Sequence, residues 1–236
     1  MTPSDRPATG TTRREPLTLS LPEQIAARIS ERIITGAYAP GRRVMEQEVS
    51  LEFAVSRGPV REALRLLERD GLVTILPRRG AQVTHLSIGE VREIFDIRAA
   101  LNGLRDRAIA EDPRRDKLLP VLEEGVATLA RLAQNPGAGD EYVETIFRLN
   151  RFLNEAGSNH RLSAILSSLA LQTLRYSRLG LSTRERRLQS VGNWHRLVKA
   201  VREGNGPEEQ RAAEQRVLDS RDAAISELEK QQPLLQ

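Results

Sequence analysis

The stretch from Val55 to Leu72 constrains this chain more than any other. It reads Val-Ser-Arg-Gly-Pro-Val-Arg-Glu-Ala-Leu-Arg-Leu-Leu-Glu-Arg-Asp-Gly-Leu. Ser56 is placed to cap a helix by accepting N–H groups of its first turn. Pro59 is tolerated there, because first-turn N–H groups have no intrahelical partner. Gly71 closes the helix, since glycine takes the left-handed conformation at low cost. Between these stops Val60, Ala63, Leu64 and Leu67 share one face, and Arg57, Arg61 and Arg65 recur every fourth residue on another. A helix with one apolar and one arginine face suits the major groove of double-stranded DNA. Arginine both pairs bidentately with guanine and holds phosphates. A solvated amphipathic helix is the alternative reading of the same pattern.

The neighbours favour the first reading. Ser20-Leu21-Pro22-Glu23 forms a capping box, and Ile25, Ile29 and Ile33 follow at helical spacing up to Gly36. Pro40-Gly41 makes a turn, and Glu46 to Ala54 reads as a short helix with Val49 and Phe53 inward. After the arginine helix, Leu72 to Leu76 is of strand type, Pro77-Arg78-Arg79-Gly80 is a turn and Ala81-Gln82-Val83 returns. A helix, a two-helix turn and a basic-tipped hairpin make a winged helix-turn-helix over residues 21–86. Its wing carries Arg78 and Arg79 toward the minor groove or the phosphates. Residues 1–20 are polar and aperiodic, read as a disordered tail and not as a secretion signal. The absence of cysteine excludes disulfides and thiolate zinc sites. With no apolar run long enough for a bilayer, no membrane partner and a cytoplasmic location are expected. The net charge of +4 mildly favours a polyanion, and 3% aromatics argue against a binder that stacks single-stranded bases.

Residues 87–236 read as six helices without a strand, an antiparallel bundle, so the fold class is mainly α. The helices run from a capping box at Ser87-Ile88-Gly89-Glu90 to Ala110, then Arg114–Gln134, Asp140–Ala156 and Leu162–Leu179. A further capping box at Ser182-Thr183-Arg184-Glu185 starts a helix to Glu203, and the last helix ends near Lys230. Arg98, Asn102 and Arg105 fall on the apolar stripe of the first of these helices, Asn150 on that of the third and His195 on that of the fifth. A buried unpaired charge costs on the order of several kcal/mol, so Arg98 calls for an anion, supplied by a ligand or by the protein. The expectation is an effector pocket of Arg98, Asn102, Asn150 and His195 for a small organic acid or an acyl derivative. The alternative is a filled, ligand-free bundle that serves dimerisation or interaction. Arg175, Arg178, Arg184, Arg186 and Arg187 are expected as a solvated surface, with contact to DNA phosphate or a dimer salt bridge as the alternatives. No nucleophile elbow, phosphate loop, metal pair or carboxylate dyad is present, so an enzyme is not expected.

Pro40-Gly41, Glu46-Gln47-Glu48-Val49, Val55-Ser56-Arg57, Pro59-Val60-Arg61-Glu62-Ala63-Leu64, Gly71-Leu72-Val73 and Arg78-Arg79-Gly80-Ala81 together resemble the GntR family of bacterial transcription regulators, over Leu21 to Leu86. The resemblance implies that Ser56, Arg57 and Arg61 contact DNA, that Gly80 sits at the wing tip, and that a homodimer reads a short palindromic operator, commonly as a repressor. Three positions depart from the pattern: Gly58 stands where the family often has Thr, Ala54 where it often has Gly, and Gln47 where some members have Arg. Ala54 would be strained if that turn needs a positive φ. The second half resembles the FCD ligand-binding domain of the FadR subfamily, through Arg98, through Leu153-Asn154-Glu155-Ala156 leading to Asn159 and Leu162, and through His195 before Ala200 and Gly204. Many such domains hold a divalent metal through an Asp, a His four residues later and two more His. Those positions are here Ile146, Asn150, His195 and Arg216 or Val217, and the acidic position after the first-helix Arg is Asn102. No metal and no cofactor are therefore expected.

Overall fold

The computed structural model describes residues 19–77 and 79–231. The tail expected over residues 1–20 lies outside it up to residue 18, as does Arg78. The first helix, α1 (Leu21–Thr35), starts on the expected capping box. Ser20 accepts from Glu23 N–H, and Glu23 reaches back to Ser20 N–H at 2.7 Å. Its isoleucines 25, 29 and 33 are buried, and Gly36 ends it in the left-handed conformation.

After β1 (Arg43–Val44) come α2 (Glu46–Glu52) and α3 (Arg57–Arg69), then β2 (Val73–Leu76) and β3 (Gly80–Val83). The wing is therefore a three-stranded antiparallel sheet in the order β1-β3-β2, not the expected two-stranded hairpin. The two-residue β1 escapes pattern reading because it is too short to show an alternation. Its Val44 nevertheless joins Val73, Ala81 and Val83 under α1 and α3. The second helix is also shorter than expected, because Ala54 turns the chain at φ +52°. Ser56 takes the N-cap position of α3 with extended backbone, but its exposed hydroxyl makes no cap hydrogen bond, contrary to expectation.

Six helices follow: α4 (Ile88–Glu111), α5 (Leu119–Gln134), α6 (Gly139–Ala156), α7 (His160–Gly180), α8 (Arg184–Glu203) and α9 (Gly206–Gln231). The Ser87/Glu90 capping box forms as expected. The third expected box does not. Thr183 rather than Ser182 caps α8, accepting from Arg186 N–H. A short 3-10 turn, Arg115–Leu118, replaces the first turn expected for α5.

The long pair α4 and α9 forms the spine of the bundle. Toward the N-terminal head, Val91, Phe95 and Ala99 of α4 pack with Tyr176, Val217 and Ile225. At the far end, Ile109 joins a larger apolar cluster built around Leu122, Leu129, Tyr142, Leu153, Trp194 and Leu197. The helical half meets the head through α7. Tyr176 Oη accepts from Leu86 N–H at 3.2 Å, just before α4 begins. No helix among the described residues is long and apolar enough to cross a membrane.

Replacing Ala54 with Gly is expected to stabilise the head by about 1 kcal/mol, because it relieves a left-handed non-glycine residue at an exposed turn. The check is a higher denaturant midpoint at unchanged slope. An unchanged midpoint would show that the turn carries no strain.

Candidate nucleic-acid interface and effector cavity

On α3, Arg57, Arg61 and Arg65 are exposed, opposite the buried Val60, Ala63, Leu64 and Leu67. Arg61 Nε lies 2.8 Å from Glu46 Oε2 of α2, and Arg65 Nη1 lies 2.7 Å from Glu62 Oε1. Exposed pairs of this kind contribute at most about 1 kcal/mol, so a phosphate can displace either carboxylate at little cost. Arg79 is exposed in the β2–β3 turn, its N–H bonded to Leu76 O. Gly80, expected at the wing tip, instead opens β3 opposite Leu76. Its φ is +77°, and a Cβ there would stand 2.5 Å from Val44 O. Glycine is needed because β1 passes against it.

The second site lies between the two apolar clusters of the bundle. There α4 carries Asn102, Arg105 and Asp106, all buried, and α9 contributes buried Glu209 and Arg216. Asp106 is the hub. Its Oδ1 accepts from Arg105 Nε at 2.6 Å and its Oδ2 from Arg216 Nη2 at 3.1 Å. Arg105 Nη1 donates to Asn154 Oδ1 at 2.5 Å, and Arg216 Nη1 donates to Asn150 Oδ1 at 3.1 Å. The Arg216 guanidinium also sits over the Trp194 ring, 4.3 Å from its centroid.

Among the described residues, Arg98 meets no carboxylate. Its Nη1 donates to Thr173 Oγ1 of α7 at 2.6 Å, its guanidinium lies over the Phe95 ring, and its buried Nε has no partner. Burial first, then the charges of Arg216 and Arg105, push its pKa down to about 10, so it stays charged near neutral pH. Glu209 is fully buried with both carboxyl oxygens unpartnered. Burial, reinforced by Asp106, pushes its pKa up to about 9 against the opposing pull of Arg216 and Arg105. It is therefore protonated and neutral near pH 7. Three guanidiniums against one carboxylate leave this layer with two positive charges in excess.

Beside the layer is a cavity of about 40 Å³. Arg98, Asn102, Arg105 and Asn150 line it together with Val143, Phe147, Leu166 and Leu174. The expected residues Arg98, Asn102 and Asn150 thus come together. His195 does not join them, and this is a correction: it is exposed on α8. The buried stripe of α8 centres on Trp194, Leu197 and Val201, so Val191 and Val198 mark its edge and His195 falls outside it. Asp106, Thr173, Glu209 and Arg216 were not legible as site residues. Arg105 falls on the apolar stripe with no role that spacing assigns, and Arg216 enters only through the resemblance.

The arginines near the α7–α8 joint are not a uniform solvated surface either. Arg187 is buried and donates to the carbonyls of Leu181 and Ser182 and, more distantly, of Asn135 and Pro136. It ties the end of α7 to the α5–α6 turn. Arg178 pairs with Asp140, and Arg175 and Arg186 are half-buried.

The gntR family of bacterial regulatory proteins matches over residues 21–83 and the FCD domain over residues 93–220. The chain is 28% identical to YdhC of Bacillus subtilis, a helix-turn-helix transcriptional regulator, over 83% of this chain and 85% of that one. It is 42% identical to the transcriptional repressor RspR of Escherichia coli over 34% of this chain and 35% of that one. Among solved structures, a GntR regulator of Rhodococcus matches with a TM-score of 0.68 at 19% identity, covering 87% of this chain and 97% of that one. McbR/YncC of E. coli matches with a TM-score of 0.66 at 21% identity, over 85% and 95%. At such identities the structural likeness concerns the fold alone.

Two outcomes test the buried layer. Asp106→Ala is expected to cost about 3–5 kcal/mol in chemical denaturation, because Arg105 and Arg216 lose their shared counter-charge. A loss below about 1 kcal/mol would remove Asp106 from the centre of the layer. Glu209 keeps its proton to about pH 9 when folded but loses it near pH 4.5 when unfolded. The folded state thus holds the extra proton across that window, and stability falls as pH rises through it. Melting temperatures at about pH 5, 7 and 9 should decline less in Glu209→Gln than in the parent protein. Parallel declines would show that Glu209 is not the titrating group.

Proposed function

This chain belongs to the gntR family of bacterial regulatory proteins and carries an FCD domain, and from that premise we propose that it is a cytoplasmic repressor that binds a short palindromic operator as a homodimer and releases it in response to a small organic acid. That it is a DNA-binding regulator of transcription and not an enzyme follows from the family and its relatives. The carrying observation for the operator contact is the exposed arginine face of α3. Arg57 and Ser56 enter first, Arg61 and Arg65 follow along the groove or its phosphates, and Arg79 of the wing reaches the neighbouring backbone. Two such heads related by a two-fold axis read two half-sites.

The effector reading rests on the excess positive charge beside a cavity. A filled dimerisation core has no reason to half-bury Arg98, with its Nε unpartnered, away from any carboxylate. Arg98, Asn102 and Asn150 are the proposed first contacts of the ligand. Coupling runs through α7, where Thr173 holds Arg98 and Tyr176, three residues on, holds Leu86 at the exit of the wing. A ligand that draws Arg98 from Thr173 favours one placement of α7, and so one placement of the head, over the other.

Arg57→Ala is expected to weaken binding to the cognate operator by ~1–3 kcal/mol, or roughly 5- to 150-fold, in a gel-shift titration. For the parent protein, log affinity should fall linearly with log salt concentration, because arginine–phosphate contacts release counterions. Unchanged affinity in the variant would exclude Arg57 from the interface, and a flat salt response would exclude phosphate contacts as the main term.

A further inference from the structure

The divalent ion implied by the resemblance does not fit the atoms found at its positions. Ile146 offers no donor, Asn150 Oδ1 is engaged by Arg216, and His195 is exposed. Among the described residues, no three or more of His, Cys, Asp and Glu are grouped so as to hold a metal. What reaches Asn150 is a guanidinium. Arg216 is held by Asn150, by Asp106 and by the face of Trp194, and is only 7% exposed. Those three anchors fix its charge as a ligand set fixes an ion.

We propose that Arg216 is the built-in cation of this site, and that the adjoining cavity takes a short monocarboxylate through Arg98 and Arg105 with no divalent metal. The proposal deepens the effector reading above and rests on it. Arg216 sets the field, while Arg98 and Arg105 supply the protons. Arg98 spends one bond on a neutral hydroxyl and keeps its Nε unpartnered. Arg105 directs Nε to Asp106 and Nη1 to Asn154, and its buried Nη2, 2.6 Å from Asp106 Oδ1, makes no hydrogen bond. The apolar lining of Val143, Phe147, Leu166 and Leu174 accepts a small apolar body. At about 40 Å³ the cavity is well below the roughly 150 Å³ that takes a benzene ring, so it suits a carboxylate with little attached. That favours a short carboxylate such as acetate or propionate over a long acyl chain.

The test uses the full chain, with sodium acetate and sodium propionate as probes against sodium chloride at equal ionic strength. A probe at roughly hundredfold excess over its dissociation constant is expected to raise the melting temperature by about 5–10 °C. The rise should be the same with EDTA or added zinc, and absent in Arg98→Met. Arg216→Met risks misfolding, because it leaves Asp106 Oδ2 without its partner. Arg216→Lys keeps the charge but cannot bridge Asn150 and Asp106, and should weaken the apparent affinity at least about tenfold. A rise abolished by EDTA, a rise retained in Arg98→Met, undiminished affinity in Arg216→Lys, or no rise with either probe would overturn the proposal. Salt-dependent binding to the DNA flanking its own gene, measured on the same preparations, separates the two readings. Loss of DNA binding with the carboxylate response intact refutes the regulator assignment alone.

Discussion

One carboxylate, Asp106, holds two guanidiniums from two different helices inside the bundle, and the rest of the helical half is arranged around that fact. Its two oxygens face Arg105 on its own helix and Arg216 on α9. Such an arrangement contributes less to stability than a well-packed apolar layer of the same volume, because each ion gives up its hydration. Its effect is on specificity. The pairing sets the register of α4 against α9, since a slip of one turn would leave charges buried without partners. It also divides the interior into two apolar clusters with a polar floor between them, and that floor is where a ligand can be read by charge.

The head and the bundle are joined economically. Apart from the chain itself, α7 carries the connection, with Tyr176 bonded to the backbone of Leu86 and Gln172 packed close to Gly71. The same helix lines the cavity through Leu166, Ala170 and Leu174. A single rigid element therefore touches both the place where charge is in excess and the place where the wing hands over to α4. Two-site coupling needs an element whose position both sites bias, and α7 meets that requirement without a long chain of intermediates.

Much of this was legible in the sequence, and the misses have physical causes. Capping boxes at Ser20 and Ser87 and the terminators Gly36, Gly71 and Gly204 are local, so they read directly from the residues. The apolar face of α3 is likewise set by spacing alone. Ala54 was legible as a conditional strain, and the positive φ is present. What failed depended on distant partners. The strand β1 exists only because β3 lies beside it, and Gly80 is explained by the backbone of Val44 rather than by a turn tip. Ser182 lost the cap to Thr183 by one residue, within the usual uncertainty of helix ends. His195 was misplaced because the spacing of Val191 and Val198 marks the rim of a stripe whose centre is Trp194. Arg187, Arg216 and Glu209 look like surface residues in one dimension, since burial of a charge is decided by the groups that other helices bring to it.

The cation over Trp194 has an optical side. This is the single tryptophan of the chain, and it is wholly enclosed, so every photon of indole emission originates next to the Arg216 guanidinium. A fixed charge a few ångströms from an excited ring shifts its emission, and any displacement of that charge changes the colour. The protein thus carries its own lamp at the ionic floor, and spectroscopy without labels can follow what happens there.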